Sequence, residues 1–278
     1  MRQNDLLIRN ENIQRLFDWY LKGDFIVNRK YQRKLVWTIE EKQQFINSIL
    51  SDYPVPLFLL AITSESRYEI IDGMQRLNAI FAFIKGEYSV NFNGQEGYFD
   101  LQTMAVTKEL MDTGMYIQKA PLLDRTLCSQ YVNYQLPLSI TNFEDRQIEE
   151  IFRRINATGR QLSSQDLRQA GTTHPFSELV RKISIAIRRD SSPSDILALS
   201  QMEEISLSNR NLAYGINMAD TFWVKNGIIT TSNMRVSRDE ELVAYILLYM
   251  LLGKEVAPTA KNLNKIYGYE EDDLLLIE

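Results

Sequence analysis

Arg67-Tyr-Glu-Ile-Ile-Asp-Gly-Met-Gln-Arg-Leu-Asn-Ala-Ile80 is the stretch on which the reading of this chain turns. Arg67 to Ile71 is a short run of aromatic and β-branched residues, which predicts a strand, and Gly73 breaks it. A helix is expected next, with Met74, Leu77, Ile80, Phe81 and Ile84 on one face and Gly86 past its end. The spacing sets a carboxylate, Asp72, at a strand-to-helix turn, with Gln75 and Arg76 in the first helical turn. Unpaired backbone N–H groups, the helix dipole and a guanidinium can together hold a phosphate there. A purely structural account competes with this one. In it Asp72 caps the helix, while Arg76 pairs with a surface carboxylate and, as an exposed arginine, adds little to folding.

Upstream, Tyr31-Gln-Arg-Lys-Leu-Val-Trp37 leads into Thr38-Ile-Glu-Glu41, a capping box that opens a helix with Phe45, Ile46, Ile49 and Leu50 apolar. Pro54 and Pro56 stop that helix, and Leu57 to Ile62 is expected as a strand. Downstream, a helix is expected from about Asn142 to Asn156, burying Ile148, Ile151, Phe152 and Ile155. Gly159 ends it, inside the run Ile151-Phe-Arg-Arg-Ile-Asn-Ala-Thr-Gly-Arg-Gln-Leu-Ser163. Ser163 or Ser164 then caps the next helix through Asp166.

In this order the three blocks resemble the GmrSD-type N-terminal domain family, which is related to ParB and sulfiredoxin. That family shows Y-Q-R…W, then D-G-Q-Q-R-L, then F-x-R-I/L-N-x-x-G-x-x-L-S. The resemblance runs from about Asn28 to about Ala170, and it departs from the pattern at Met74, where the family usually has its first Gln. It implies an α+β, ParB/sulfiredoxin-like domain with a small mixed sheet over residues 1–170. A helical C-terminal region, 171–278, would pack on it. It further implies nucleotide binding, with or without hydrolysis, in the restriction of foreign or modified DNA. On this reading Asp72, Gln75 and Arg76 are the candidate catalytic residues. Asp72 would bind Mg²⁺ or orient a water, Gln75 would bond a phosphate oxygen or position water, and Arg76 would neutralise charge developing on phosphate. Gly73 lets the backbone approach the phosphates, while Gln32, Arg33, Asn156 and Arg160 are expected to reach them from neighbouring loops. Structural roles stand beside these: Arg33 stacked on Trp37 or Tyr31, Asn156 satisfying its local backbone. All these residues lie at element ends, so they are expected to converge on one cleft.

The inventory of residues removes other chemistries. His174 is the single histidine and Cys128 the single cysteine. A histidine-based metal nuclease or zinc site therefore has too few ligands, and an intramolecular disulfide cannot form. His174, next to Pro175, reads as a satisfied loop residue. Any metal would be a hard ion on carboxylates and phosphates, which means Mg²⁺. With no histidine nuclease motif in the chain, DNA cleavage is expected to fall to a separate nuclease subunit. No apolar run reaches the eighteen residues of a membrane span, and Met1 to Asp5 lead into no signal core, so a cytoplasmic protein is expected.

A net charge of −5 opposes a surface built wholly for nucleic acid. Basic clusters nonetheless stand at Arg29, Lys30, Arg33 and Lys34, at Arg153, Arg154 and Arg160, and at Arg181, Lys182, Arg188 and Arg189. The first two coincide with the motif blocks and the third reads as surface. Two further functions follow from these features. One is a DNA-binding module without nucleotide turnover, using Arg29–Lys34 and Arg153–Arg160. The other is a ParB-like, Mg²⁺-dependent nicking nuclease centred on Asp72.

The remaining elements are read from local signals. Ile13, Leu16, Phe17, Tyr20 and Leu21 have helical spacing with Gly23 as the stop. A hairpin turns at Asn93-Gly94 between Tyr88–Phe92 and Tyr98-Phe99. Tyr131 to Ile140 alternates like a strand, with Pro137 marking an edge or an end. Beyond Pro175 four helices are expected: Phe176 to Arg189, Ser194 to Leu207, Asn211 to Lys225 and Asp239 to Leu252.

Overall fold

Thr38 and Glu41 form the expected reciprocal cap. The Thr38 N–H donates to Glu41 Oε2 at 2.7 Å and the Glu41 N–H to Thr38 Oγ1 at 3.3 Å. The computed structural model of the 278-residue chain describes residues 7–30, 34–142, 147–148, 151, 163–169, 174–190, 192, 194–208, 211–253 and 256–268. The first half runs β1 (Leu7–Asn12), α1 (Ile13–Lys22), β2 (Phe25–Asn28), α2 (Ile39–Leu50), β3 (Phe58–Ile62), β4 (Tyr68–Asp72) and α3 (Met74–Ile84). A hairpin of β5 (Val90–Phe92) and β6 (Gln95–Gly97) follows, then α4 (Ala105–Asp112), α5 (Arg125–Asn133) and β7 (Gln135–Thr141). Asn93 and Gly94 both take positive φ, 52° and 81°, the geometry of a two-residue hairpin turn.

Six strands form one mixed sheet in the order β1-β7-β3-β4-β2-β8, where β8 is Ile196–Ala198. β7 runs parallel to β3 and β2 parallel to β4; the other pairs are antiparallel. β7 is therefore internal, not an edge. Pro137 pairs with Asn10 of β1 and sits one residue before the β3 ladder, which starts at Leu138, so the proline marks the end of that ladder. Period-2 alternation gives the sheet two apolar faces. Leu60 and Ile70 join the main core, whereas Ala61 and Ile71 pack against Ile148 on the other side. Ile148, with helical Gln147 and Ile151, is the described part of the helix expected over 142–156.

α3 is buried all round, not on one face: Gln75 alone of its eleven residues escapes burial. Phe81 packs against Phe17, Tyr20 and Phe25 with ring centroids 5.9, 4.6 and 5.9 Å apart. A helix apolar on every side belongs at the centre of a core, and the strand-to-helix turn is anchored by it.

Beyond residue 170 the expected helices hold at Pro175–Arg188 and Arg238–Leu252. The other two do not. Ile196–Ala198 is β8, followed by a 3-10 turn and the one-turn helix Met202–Ile205, and only Phe222–Lys225 is α-helical within 211–225. The apolar residues of 194–207 serve the sheet edge and the main core, which a helix could not do at once. Short helices at Thr231–Arg235 and Ala260–Ile266 complete the region, and another, Ser164–Gln169, precedes it. No helix among the described residues is long and apolar enough to cross a membrane.

Candidate functional site

β4 ends in a bulge. Leu60 pairs with Ile70 and Leu59 with Asp72, so Ile71 is passed over and Asp72 closes the strand at an irregular step. Gly73 follows with φ +106°, and a Cβ there would stand 2.5 Å from Phe58 Cδ1. Both the backbone conformation and the close approach of the Phe58 ring require glycine. The first intrahelical donor of α3 is the Leu77 N–H, which bonds the Gly73 carbonyl at 2.8 Å, and no side chain caps the helix. The N–H groups of Met74, Gln75 and Arg76 thus precede the helix's own bonds.

Asp72 is not the cap. Its carboxylate, 38% exposed, accepts through Oδ2 from Arg76 Nη2 at 2.6 Å. Nor is Arg76 an exposed surface residue. It is 8% exposed, donates to the carbonyls of Pro56 and Leu57, and lays its guanidinium over Phe58 at 4.5 Å. Burial pushes Arg76 below the usual arginine range, and the Asp72 charge pulls it back up. Arg76 ties the α2–β3 connection and the strand end to the helix start.

Gln75, expected to bond a phosphate oxygen or position water, or else to lie exposed on the helix, is half-buried with its carboxamide on backbone groups. Its Oε1 accepts from the N–H groups of Val36 and Trp37 at 3.0 and 3.2 Å, and its Nε2 donates to the Lys34 carbonyl at 3.0 Å. The carboxamide clamps residues 34–37, the end of the first motif block, beside the uncapped helix start. Trp37 packs edge-on against Phe45 at 5.7 Å. Tyr31, Gln32, Arg33, Arg153, Arg154, Asn156, Gly159 and Arg160 lie outside the described residues, as do Phe152 and Ile155.

Basic residues assigned to phosphates or to the surface are in part internal. Arg29 is 2% exposed and ion-paired with Asp190; Lys34, at 8%, donates to the Met234 carbonyl at 2.8 Å. Arg188, read from the sequence as surface, bonds Asp239 at 2.9 Å and Glu240 at 2.8 Å. None of the three is available to DNA phosphates. The two rarest side chains are structural. His174 Nδ1 accepts from the Phe176 N–H as a helix cap, and Cys128 is buried, with its thiol pushed up by that burial. Ser163 caps its helix as expected, its hydroxyl accepting from the Asp166 N–H at 3.1 Å.

Two residues packed against α3, one at the site and one further along the helix, carry roles that the local sequence does not signal as chemistry. Phe58 forms the floor under Gly73 and Arg76, with no signal beyond an aromatic at a strand start. Lys42 is fully buried between α2 and α3, donating to Asn78 Oδ1 at 2.6 Å and to Tyr214. Its spacing was the signal: 42, 46 and 49 share the buried face of α2.

The family described as "GmrSD restriction endonuclease, N-terminal domain" matches residues 5–172, well over half of the chain. The chain belongs to that family. The three motif blocks all fall within the matched span. No curated protein matches the chain. A solved structure of a Pnob8-like ParB-N domain, in a C2221 crystal form, is similar over 98% of this chain and 83% of that one, at 10% identity with a TM-score of 0.31. A score that low does not establish a shared fold. The mixed six-stranded sheet with a largely helical C-terminal part stands on this chain's own topology.

Proposed function

We propose that this GmrSD N-terminal domain protein is the nucleotide-sensing component of a prokaryotic DNA restriction or phage-defence system. It would act in the cytoplasm and leave DNA cleavage to a separate nuclease chain. The observation that carries the reading is the uncapped start of α3 at Gly73, flanked by the half-exposed carboxylate of Asp72. Backbone N–H groups and the helix dipole at that turn suit the phosphates of a nucleoside triphosphate, and the missing side chain of Gly73 lets them come close. Arg76 fixes Asp72 Oδ2 and leaves Oδ1 without a bond among the described residues. That oxygen suits Mg²⁺ or a water aimed at phosphorus. Among the described residues no three His, Cys, Asp or Glu side chains are grouped to hold a metal, so Mg²⁺ would be shared between Asp72 and the ligand's phosphates.

In this reading Gln75 and Arg76 are positioning residues. Arg76 aims the carboxylate, and Gln75 holds the first motif block against the turn. Hydrolysis at this turn would add water to the γ-phosphorus and break its bond to the bridging oxygen, releasing phosphate and the nucleoside diphosphate. The DNA-binding alternative loses Arg29 and Lys34 to internal ion pairs and backbone contacts.

Calorimetric titration of the purified chain with ATP, GTP and CTP, with and without Mg²⁺, tests the proposal. Binding of at least one nucleotide is expected to strengthen with Mg²⁺ and to weaken about tenfold in Asp72→Asn, with the melting temperature nearly unchanged. Failure of all three to bind would sink the reading. Binding that is indifferent to Asp72→Asn would move the site elsewhere.

A further inference from the structure

Residues 34–37 lie against the start of α3, because Gln75, its second residue, bonds the Lys34 carbonyl and the Val36 and Trp37 N–H groups. The same short stretch is held from behind by residues past the end of the family match at 172. Ser206 Oγ accepts from the Leu35 N–H at 2.8 Å, and Arg235 Nε donates to the Val36 carbonyl at 2.9 Å. The Met234 carbonyl accepts from Lys34 Nζ at 2.8 Å. A segment that is neither helix nor strand takes its shape from whichever groups satisfy its backbone, and here those groups come from two regions far apart in sequence.

Ser206 and Arg235 are placed by a small core of the C-terminal region. Leu207 and Met234, their neighbours in the chain, are buried together with Ile216 and Met218. The Ile216 N–H donates to the Ser206 carbonyl at 3.1 Å and the Gly215 N–H to the Glu203 carbonyl at 2.8 Å. A Cβ on Gly215 would stand 1.6 Å from the Glu204 carbonyl oxygen, so only glycine allows that approach. Ser206 is fully buried, with its hydroxyl directed to Leu35. Arg235 uses two neighbouring donors at once, Nε on Val36 and Nη2 on Glu41 Oε2 at 2.7 Å. That carboxylate oxygen also accepts from the Thr38 N–H in the cap of α2. The flat guanidinium thus ties residue 36 to the start of α2 at a fixed spacing that the point-like ammonium of a lysine does not reproduce.

We propose that Ser206 and Arg235 are positioning residues of the nucleotide site, so that the C-terminal region completes a site whose motif blocks all lie within the family span. The proposal rests on the nucleotide reading of the Asp72 turn and extends it to two residues that no motif marks. A segment already ordered beside α3 adds no ordering cost when the phosphates bind, whereas one freed from its anchors must be ordered at the expense of affinity.

Two measurements on the full chain separate positioning from support of the fold. One is hydrogen-exchange mass spectrometry of the free protein over 35–38. The other is calorimetric affinity, with Mg²⁺, for whichever of ATP, GTP and CTP binds most tightly. In Arg235→Ala, exchange over 35–38 is expected to quicken about tenfold and affinity to fall about tenfold, while melting drops by only a few degrees because the pair with Glu41 is part-exposed. Arg238→Ala removes the neighbouring exposed pair with Glu241 and should leave both measurements unchanged. Arg235→Lys keeps the charge without the fork and is expected to behave as Arg235→Ala does. Full recovery in the lysine variant would mean that the site takes only charge from this position, which overturns the positioning role. Should Arg235→Ala fail to fold, Ser206→Ala, which removes one buried hydroxyl, is expected to give the same two changes. Faster exchange with unchanged affinity would reduce Arg235 to a structural tie, and lost affinity without faster exchange would make it a direct ligand contact; either result overturns the proposal. If the wild type binds none of the three nucleotides, the reading of the Asp72 turn fails and the proposal with it. If the wild type binds and the variants bind equally well, that reading stands and this proposal alone falls.

Discussion

Arg76 shows how far a residue's role is decided by its neighbours in space. Its side chain spans three elements, bonding the carbonyls of Pro56 and Leu57 and the Asp72 carboxylate while covering Phe58. Arg76→Ala would strip two carbonyls of their donor, unpair a half-buried carboxylate and empty a packed site. Removing one partner from such a buried network costs about 2–5 kcal/mol, far above the small loss expected of an exposed helix arginine. Arg67, whose pair with Glu65 is exposed, is the matched control, and its replacement by alanine should cost under about 1 kcal/mol. Urea unfolding of the two variants decides the point, because equal losses would mean that Arg76 is not structural. The Asp72–Gly73 turn itself was legible, since a strand run, a breaker and an apolar helix are local signals. What Gln75 and Arg76 do with their donors was not, because their carbonyl partners stand 41 and 20 positions away.

At the scale of elements the same division holds. α1 with its stop at Gly23, the capped α2 and the hairpin at Asn93-Gly94 carry their causes within a few residues. β2 and β8, of four and three residues, exist because β2 pairs with β4 on one side and with β8 on the other, and strand preference that depends on such partners leaves little trace in the local sequence. Lys42 is a charge on an otherwise apolar helix face, and it makes stability depend on pH. Burial pushes its ammonium down to about 8, with Glu87 and Glu203 drawing it up and Lys85 opposing them. Between that value and the ordinary lysine range the unfolded chain binds more protons than the folded one. Stability should therefore rise with pH from about 8 to 10, by up to about 3 kcal/mol for this group. The nearby tyrosines act above that window, because burial pushes Tyr20 up to about 12 and Tyr88 higher still. Urea midpoints at pH 7.5, 8.5 and 9.5 should climb in the wild type and lie flat in Lys42→Met. A wild-type midpoint that is flat or falling would show that Lys42 keeps an ordinary proton affinity.

For the whole molecule, the family match and the physical core have different edges. The matched span stops at residue 172. The main core, however, also takes in Leu197, Leu199, Met202, Ile205 and Leu212, alongside Ile70, Leu77 and Phe81. A second core of Phe176, Val180, Trp223, Val243, Leu248, Leu263 and Ile266 is made wholly from the C-terminal region. A fragment of residues 1–172 would thus expose the surfaces that five buried apolar side chains cover, each worth about 1.5–3 kcal/mol when fully buried. It would also lose β8 from the sheet edge and strip Arg29 and Lys34 of their partners Asp190, Met234 and Asp239. Such a loss is of the order of a whole domain's net stability. The fragment is expected to keep helical circular dichroism but to bind ANS and melt without a sharp transition. Extending it to residue 214 restores β8, all five core residues and the Asp190 partner of Arg29, and should bring back a cooperative, lower-melting transition. Cooperative melting of 1–172 at the temperature of the full chain would show that residues 197–212 only cover a core that is already complete.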